Sequence, residues 1–243
     1  MNLILFEKEE IQSNLDDKDP RTIHIRDILK LGPGGEFSAG IIGGGRGRGR
    51  LTARGEQGWE WTFTPLKGIA EVPPLLPLTL VLGCPRPPVA RRILKDMSTL
   101  GLREIRVSST DLNENSYLGS RLWRKGLWRN ALVDGAVQGG STLIPEVRTG
   151  RNLESILENL PEDAERIAFD NDEGLVGFGE WVSGTGFSSG VLAVGPERGW
   201  SGRERALLDS RGFHRLHLGK RILRTETACS AGAALILASM GCF

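Results

Sequence analysis

Cysteine is scarce in this chain: Cys84, Cys229 and Cys242 lie far apart in 243 residues and form no C-x-x-C pair. That argues against a disulfide-stapled scaffold and a zinc site, and it points to a reducing compartment with no bound metal. Histidine is equally rare, and His24, His214 and His217 have neither a G-x-S-x-G elbow nor a reactive-cysteine context, so no hydrolytic triad is expected. Long apolar runs are missing as well. Ala228 to Met240 falls short of the ~20 residues needed to span a bilayer. The apolar start, Met1 to Phe6, runs at once into Glu7, Lys8, Glu9 and Glu10, which suits a first strand rather than a secretory signal. A soluble cytoplasmic protein of one large or two modest domains is expected.

Net charge is also nearly absent, at +1, until the chain is divided. From Pro85 to Arg129 ten Lys or Arg stand against four Asp or Glu, whereas Leu153 to Glu180 carries nine acids against one Arg. The spacing predicts a helix over Pro87 to Leu100, with Val89, Ile93, Met97 and Leu100 on one face, Arg91, Arg92 and Lys95 on the other, and Gly101 as the stop. In the next helical segment Arg121, Arg124, Lys125 and Trp128 cluster on one side, with Leu122, Val133 and Val137 towards the other. Basic residues beside an aromatic can hold phosphates and stack a base; ordinary solvated helix faces are the competing reading.

A domain boundary falls at residues 71–77, Glu71 to Pro77, where three prolines in five residues forbid helix and interrupt a sheet. Upstream, residues 1–70 read as a small β-rich domain. Its strands are expected near Leu3 to Phe6, Glu36 to Ile42, Arg46 to Arg54 and Gly58 to Thr64, with a helix around Ile23 to Lys30. Within it Arg46, Arg48 and Arg50 alternate with glycines, and period-2 spacing places all three on one strand face, the glycines marking close packing or a bulge on the other. Such a row can protect an edge and track phosphates.

Downstream, residues 78–243 alternate short apolar strands (Leu78 to Leu82, Ile105 to Val107, Ile167 to Phe169, Val191 to Val194, Phe213 to Leu218) with helices, an α/β domain on a mostly parallel sheet. Two glycine loops at strand ends form one pocket edge. The first runs Gly195-Pro196-Glu197-Arg198-Gly199-Trp200 into a capping box of Ser201 and Glu204. The second is Leu218-Gly219-Lys220-Arg221-Ile222-Leu223-Arg224-Thr225-Glu226-Thr227-Ala228, with Thr225 as the expected N-cap of a helix from Ala228 to Met240. Asp170-Asn171-Asp172-Glu173-Gly174, after Phe169, is the natural third wall.

These two loops resemble the signature of the ribosomal small subunit methyltransferase E family of the SPOUT superfamily: G-P-E-G-G-[FL]-S-x-x-E, then L-G-x-R-[IV]-L-R-x-E-T-A. The second half stands in full from Leu218 to Ala228; in the first, Arg198 replaces a glycine and Trp200 a smaller apolar residue. The family's V-L-R-x-x-x-G-D appears as Ile28 to Gly35 with Lys30 for arginine. Its K-x-T-E-L-G-V appears as Lys95 to Leu102 with Thr99 for glutamate. Gln138 remains of E-Q-x-x-R, whose arginine is Ser141, and Ile144 to Val147 fits again.

The resemblance implies an α/β trefoil-knot methyltransferase domain behind an N-terminal PUA-like β-barrel, working as a homodimer on 16S rRNA of the small ribosomal subunit. It implies S-adenosylmethionine as methyl donor and N3 of a uridine as acceptor. The implied cofactor residues are Phe169, Asp170, Gly195, Pro196, Glu197, Gly199, Leu218, Gly219, Ile222, Leu223 and Thr225. Arg224 and Glu226 are the catalytic candidates, the first to stabilise charge on the uracil oxygens and the second to accept the N3 proton; the alternative is an Arg224–Glu226 ion pair that only shapes the loop. Lys30, Arg46, Arg48, Arg50, Arg91, Arg92, Arg121, Arg124 and Lys125 are the candidate RNA contacts. Two rival accounts stand beside this one: a non-enzymatic rRNA-binding assembly factor whose Arg198 closes the cofactor loop, and a SPOUT methyltransferase acting on another RNA position.

Overall fold

The computed structural model describes residues 3–56, 58–66, 72–114, 116–183 and 186–243; Glu71, the first residue of the expected linker, lies outside them. The chain divides into two compact units, Met1–Pro74 with Ala136–Ile144, and Leu75–Gly135 with Pro145–Phe243.

The first unit is a four-stranded sheet in the order β1 (Leu3–Phe6), β2 (Glu36–Ile41), β3 (Arg46–Gly55), β4 (Gly58–Pro65). β1 runs parallel to β2, and the other pairs are antiparallel. Barrel closure is not seen among the described residues. The expected helix over Ile23 to Lys30 is instead one α turn, α1 (Pro20–Ile23), followed by a π turn, His24–Ile28. Asp19 caps α1 through Arg21 N at 2.8 Å, and Pro20 takes the first helical position, so the start lies earlier than the apolar spacing suggests. Phe6, Phe37 and Trp61 pack together in the core, Phe37 stacked on Trp61 with ring centroids 5.9 Å apart and Phe6 tilted against Trp61 at 4.3 Å. Gly47 and Gly49 are buried beside that core: a Cβ on Gly49 would lie 2.3 Å from the Phe37 ring, and one on Gly47 2.4 Å from Phe63. The glycines of the arginine row are therefore where two aromatic rings lie against the backbone, and Arg48 and Arg50 project outward, with Arg46 half-buried.

The second unit carries a seven-stranded, wholly parallel sheet: β5 (Leu76–Gly83), β6 (Leu102–Ser108), β7 (Glu146–Gly150), β8 (Glu165–Phe169), β9 (Val176–Gly177), β10 (Gly190–Val194) and β11 (His214–His217). Its spatial order is β7-β6-β5-β10-β8-β11-β9, so late strand β10 is inserted between β5 and β8. β10 is buried at every residue, as parallel strands covered on both faces must be. The helices are α2 (Pro87–Leu100), α3 (Arg121–Arg124), α4 (Trp128–Gly139, passing out of this unit after Gly135), α5 (Leu153–Ile156), α6 (Phe178–Val182), α7 (Gly202–Ser210) and α8 (Thr225–Ser239). α2 packs against α8. β7 and β9 were not expected: β7 is too polar to stand out and β9 has two residues. The single helix expected through Arg121 and Val137 is broken at Gly126, whose φ is +66°, which gives α3 and α4.

The capping box forms as expected, Glu204 N donating to Ser201 Oγ at 3.1 Å and Ser201 N to Glu204 Oε2 at 2.9 Å. Glu204 is also fully buried and accepts from Asp111 N at 2.9 Å, which pins the loop after β6 to α7. Thr225 is not the N-cap of α8; Arg224 is, and Thr225 is the first helical residue, buried against the pocket described next.

Candidate active site

Parallel strands end together, and the three loops leaving β8, β10 and β11 enclose a cavity of about 540 Å³ at their C-terminal ends. Phe169, Asp170 and Asn171 line it after β8; Val194, Gly195, Pro196, Glu197, Gly199 and Trp200 after β10; Leu218, Arg221, Ile222, Leu223 and Arg224 after β11. The first turn of α8 adds Thr225, Glu226 and Ala228, and α2 with the residue before it adds Arg86, Val89 and Arg92. Every expected cofactor residue lies in this lining except Gly219. That residue turns the loop behind it with φ +108°, its N–H donating to His217 Nδ1 at 2.9 Å. Trp200, also in the lining, is 2% exposed. Arg198 is exposed and outside the lining, so the departure from the family pattern does not close the pocket.

The loop from Leu218 to Arg224 bends over Leu218 to Arg221 before it enters α8. Among the described residues, the main-chain groups of Ile222 and Leu223 make no backbone hydrogen bond, although both residues face the cavity. Main-chain groups with no internal backbone partner on a cavity wall are available to a polar ligand edge. Asp170, by contrast, is fully engaged. Its side chain is 3% exposed and accepts from Asn171 N at 2.8 Å, Arg205 Nε at 2.8 Å and Arg215 Nη1 at 3.4 Å. Its carboxylate braces the loop after β8. Arg215 also bonds Asp172 and holds that carboxyl below its ordinary range.

At the mouth, Arg224 is exposed and makes no ion pair among the described residues. The Arg224–Glu226 pair that would merely shape the loop is absent. Glu226, in the first turn of α8 where the helix dipole favours negative charge, is bonded instead by Arg92 Nη1 at 3.1 Å. Glu197 accepts from both Arg86 N at 3.1 Å and Arg86 Nε at 3.2 Å, tying the β10 loop to the start of α2. Arg86, Val89 and Arg92 were missed as pocket residues; Val89 and Arg92 stand three apart on one stripe of α2, and Arg86 is its N-cap.

The remaining expected contacts lie elsewhere. Lys30, Arg48 and Arg50 are exposed on the first unit, Arg48 in an ion pair with Glu36 at 2.8 Å. Arg91 faces Asp134 at 3.7 Å, and Arg121, Arg124 and Lys125 are exposed around α3. Cys84 is buried, which pushes its thiol up to about 12, and burial raises Cys229 as well, so neither thiol serves as a nucleophile.

A pocket lined by glycine-loop main chain, a carboxylate and a guanidinium with no ion pair among the described residues, at the ends of parallel strands, is a small-molecule site of an α/β enzyme. The profile of the RNA methyltransferase domain matches residues 72–237, the span that builds it. The ribosomal RNA small subunit methyltransferase E of Treponema pallidum is 36% identical over 98% of this chain and 91% of its own length. Ribosomal RNA small subunit methyltransferase E 1 of Borreliella burgdorferi is 29% identical over 98% of each. This chain belongs to the ribosomal RNA small subunit methyltransferase E family of RNA methyltransferases. The Neisseria gonorrhoeae member solved with bound S-adenosyl methionine shares the fold, with a TM-score of 0.76 at 20% identity over 98% of this chain and 97% of that one.

Proposed function

We propose that this chain methylates N3 of a uridine in 16S rRNA, using S-adenosylmethionine held in the pocket at the ends of β8, β10 and β11. The observation that carries the reading is the mouth itself: Arg224, which makes no ion pair among the described residues, and Glu226 both line the cavity that the loops after β8, β10 and β11 enclose. The bound cofactor supplies an electrophilic methyl group, whose transfer forms the N3–C bond as the S–C bond breaks. Glu226 takes the N3 proton, directly or through water, and returns it to solvent. Arg224 donates hydrogen bonds to the uracil oxygens, where negative charge grows as that proton leaves. The loops of Gly195 to Gly199 and Leu218 to Leu223 position the donor, so that proximity does most of the remaining work.

The first unit, in this reading, is a PUA-like RNA-binding domain. Lys30, Arg46, Arg48 and Arg50 contact phosphates, and Arg91, Arg121, Arg124 and Lys125 do so on the methyltransferase domain, in the cytoplasm where the small subunit is assembled. A second copy of the chain covers the small apolar residues of α8, where Leu235 stands 43% exposed.

Calorimetric titration with S-adenosylmethionine, followed by mass spectrometry of 16S rRNA after incubation, tests this. The natural protein is expected to bind the cofactor and leave one N3-methyluridine. Arg224→Ala is expected to bind it equally while transferring about 10²–10³-fold more slowly, the usual loss for one charge-stabilising donor. A protein that binds no cofactor would restore the assembly-factor account, and a methyl group on a ribose or on tRNA would move the target.

A further inference from the structure

Arg92 was expected to hold RNA phosphate, yet its position is at odds with a purely external role. Its guanidinium reaches Glu226 Oε1 at 3.1 Å, and it lines the same cavity as that carboxylate. The side chains differ sharply in exposure, 61% for Arg92 and 14% for Glu226. A carboxylate so covered needs a compensating charge, and among the described residues Arg92 is the only group hydrogen-bonded to it. One carboxylate oxygen is therefore held, and Oε2 has no protein partner among the described residues. A Glu side chain has three rotatable bonds, and an unrestrained one samples many orientations that cannot reach a substrate proton. A charge-assisted bond from a different helix removes most of that freedom.

We propose that Arg92 is a positioning residue for the methyl transfer: it pins Oε1 of Glu226 so that Oε2 faces the cavity, ready to take the N3 proton. This rests on the reading of Glu226 as proton acceptor. The companion bridge, Arg86 to Glu197, serves a different end, since Glu197 also accepts the Arg86 main-chain N–H and so fixes the β10 loop to α2. Both Arg86 bonds end on Oε1 of Glu197, and the two carboxylates differ in cover instead: the Glu226 side chain is 14% exposed against 30% for Glu197.

Steady-state and cofactor-binding measurements on Arg92→Ala, Arg92→Lys, Glu226→Gln and the Arg92→Ala/Glu226→Gln double variant decide the matter. Positioning requires kcat of Arg92→Ala to fall about 10- to 100-fold, within the range lost when a catalytic proton acceptor is misplaced. Cofactor affinity and the KM for 16S rRNA stay within a few-fold. Arg92→Lys, which keeps the charge and loses the fork, recovers part of kcat. The double variant is no slower than Glu226→Gln alone, because a residue that acts only through Glu226 has nothing left to position. A raised KM with unchanged kcat, and a salt slope shallower by about 1, would make Arg92 a phosphate contact and overturn the proposal. Losses that add in the double variant would overturn it too. Full activity of Glu226→Gln would remove the acceptor itself, whereas an inactive Glu226→Gln beside a fully active Arg92→Ala would remove only the positioning.

Discussion

At the scale of single residues, the arginine–glycine alternation of β3 shows how a pattern is read through what lies behind it. Gly49 is required by the Phe37 ring, since an added Cβ would come within 2.3 Å of it. Gly49→Ala is therefore expected to lower stability by about 1–3 kcal/mol through overpacking. Thermal melting checks this, and an unchanged midpoint would mean that Phe37 swings aside. Period-2 spacing alone placed Arg46, Arg48 and Arg50 on one face, because strand geometry is local. The partner of Glu226 was not legible in the same way. Arg224, two residues away, was the natural candidate, whereas Arg92 comes from 134 residues earlier and reaches it only through the packing of α2 on α8.

At the scale of elements, local chemistry set the starts and stops. The Ser201–Glu204 box was readable because both partners sit within one turn. The start of α1 was misplaced because its signal is Asp19-Pro20, ahead of the first apolar residue of the period. That start is also where the first unit carries a pH-sensitive tie. Arg21 bonds Glu10 at 2.7 and 2.8 Å and Asp19 at 2.6 Å, which links the 3₁₀ turn Lys8–Gln12 to α1. The Arg21 hydrogen bond holds the Glu10 carboxyl below its ordinary value of 4.5. The folded state thus prefers the charged form, and the tie contributes fully above pH 4.5 and fades as pH falls through and below it. The pair is partly exposed, so its contribution is no more than about 1 kcal/mol. Melting curves of Glu10→Gln and the natural protein are expected to differ at about pH 6 and to draw together as pH falls below 4.5; a gap that stays constant would show that the bond is not linked to protonation.

At the scale of the whole molecule, the apolar surface of α8 predicts a homodimer. Equilibrium sedimentation at micromolar concentration is expected to give twice the mass of the 26.5 kDa chain, and a monomer would overturn the second copy as the cover for Leu235. The sequence by itself determined the strand–loop–helix units, the parallel character of the sheet and the two glycine loops, because hydrophobic period, turn residues and caps act over a few residues. Only the tertiary structure decided the insertion of β10 between β5 and β8, the grouping of Ala136–Ile144 with the first unit, and the pairing of Arg92 with Glu226. Strand order and ion-pair partners depend on which distant segments pack together, and a local pattern of residues carries no record of that choice.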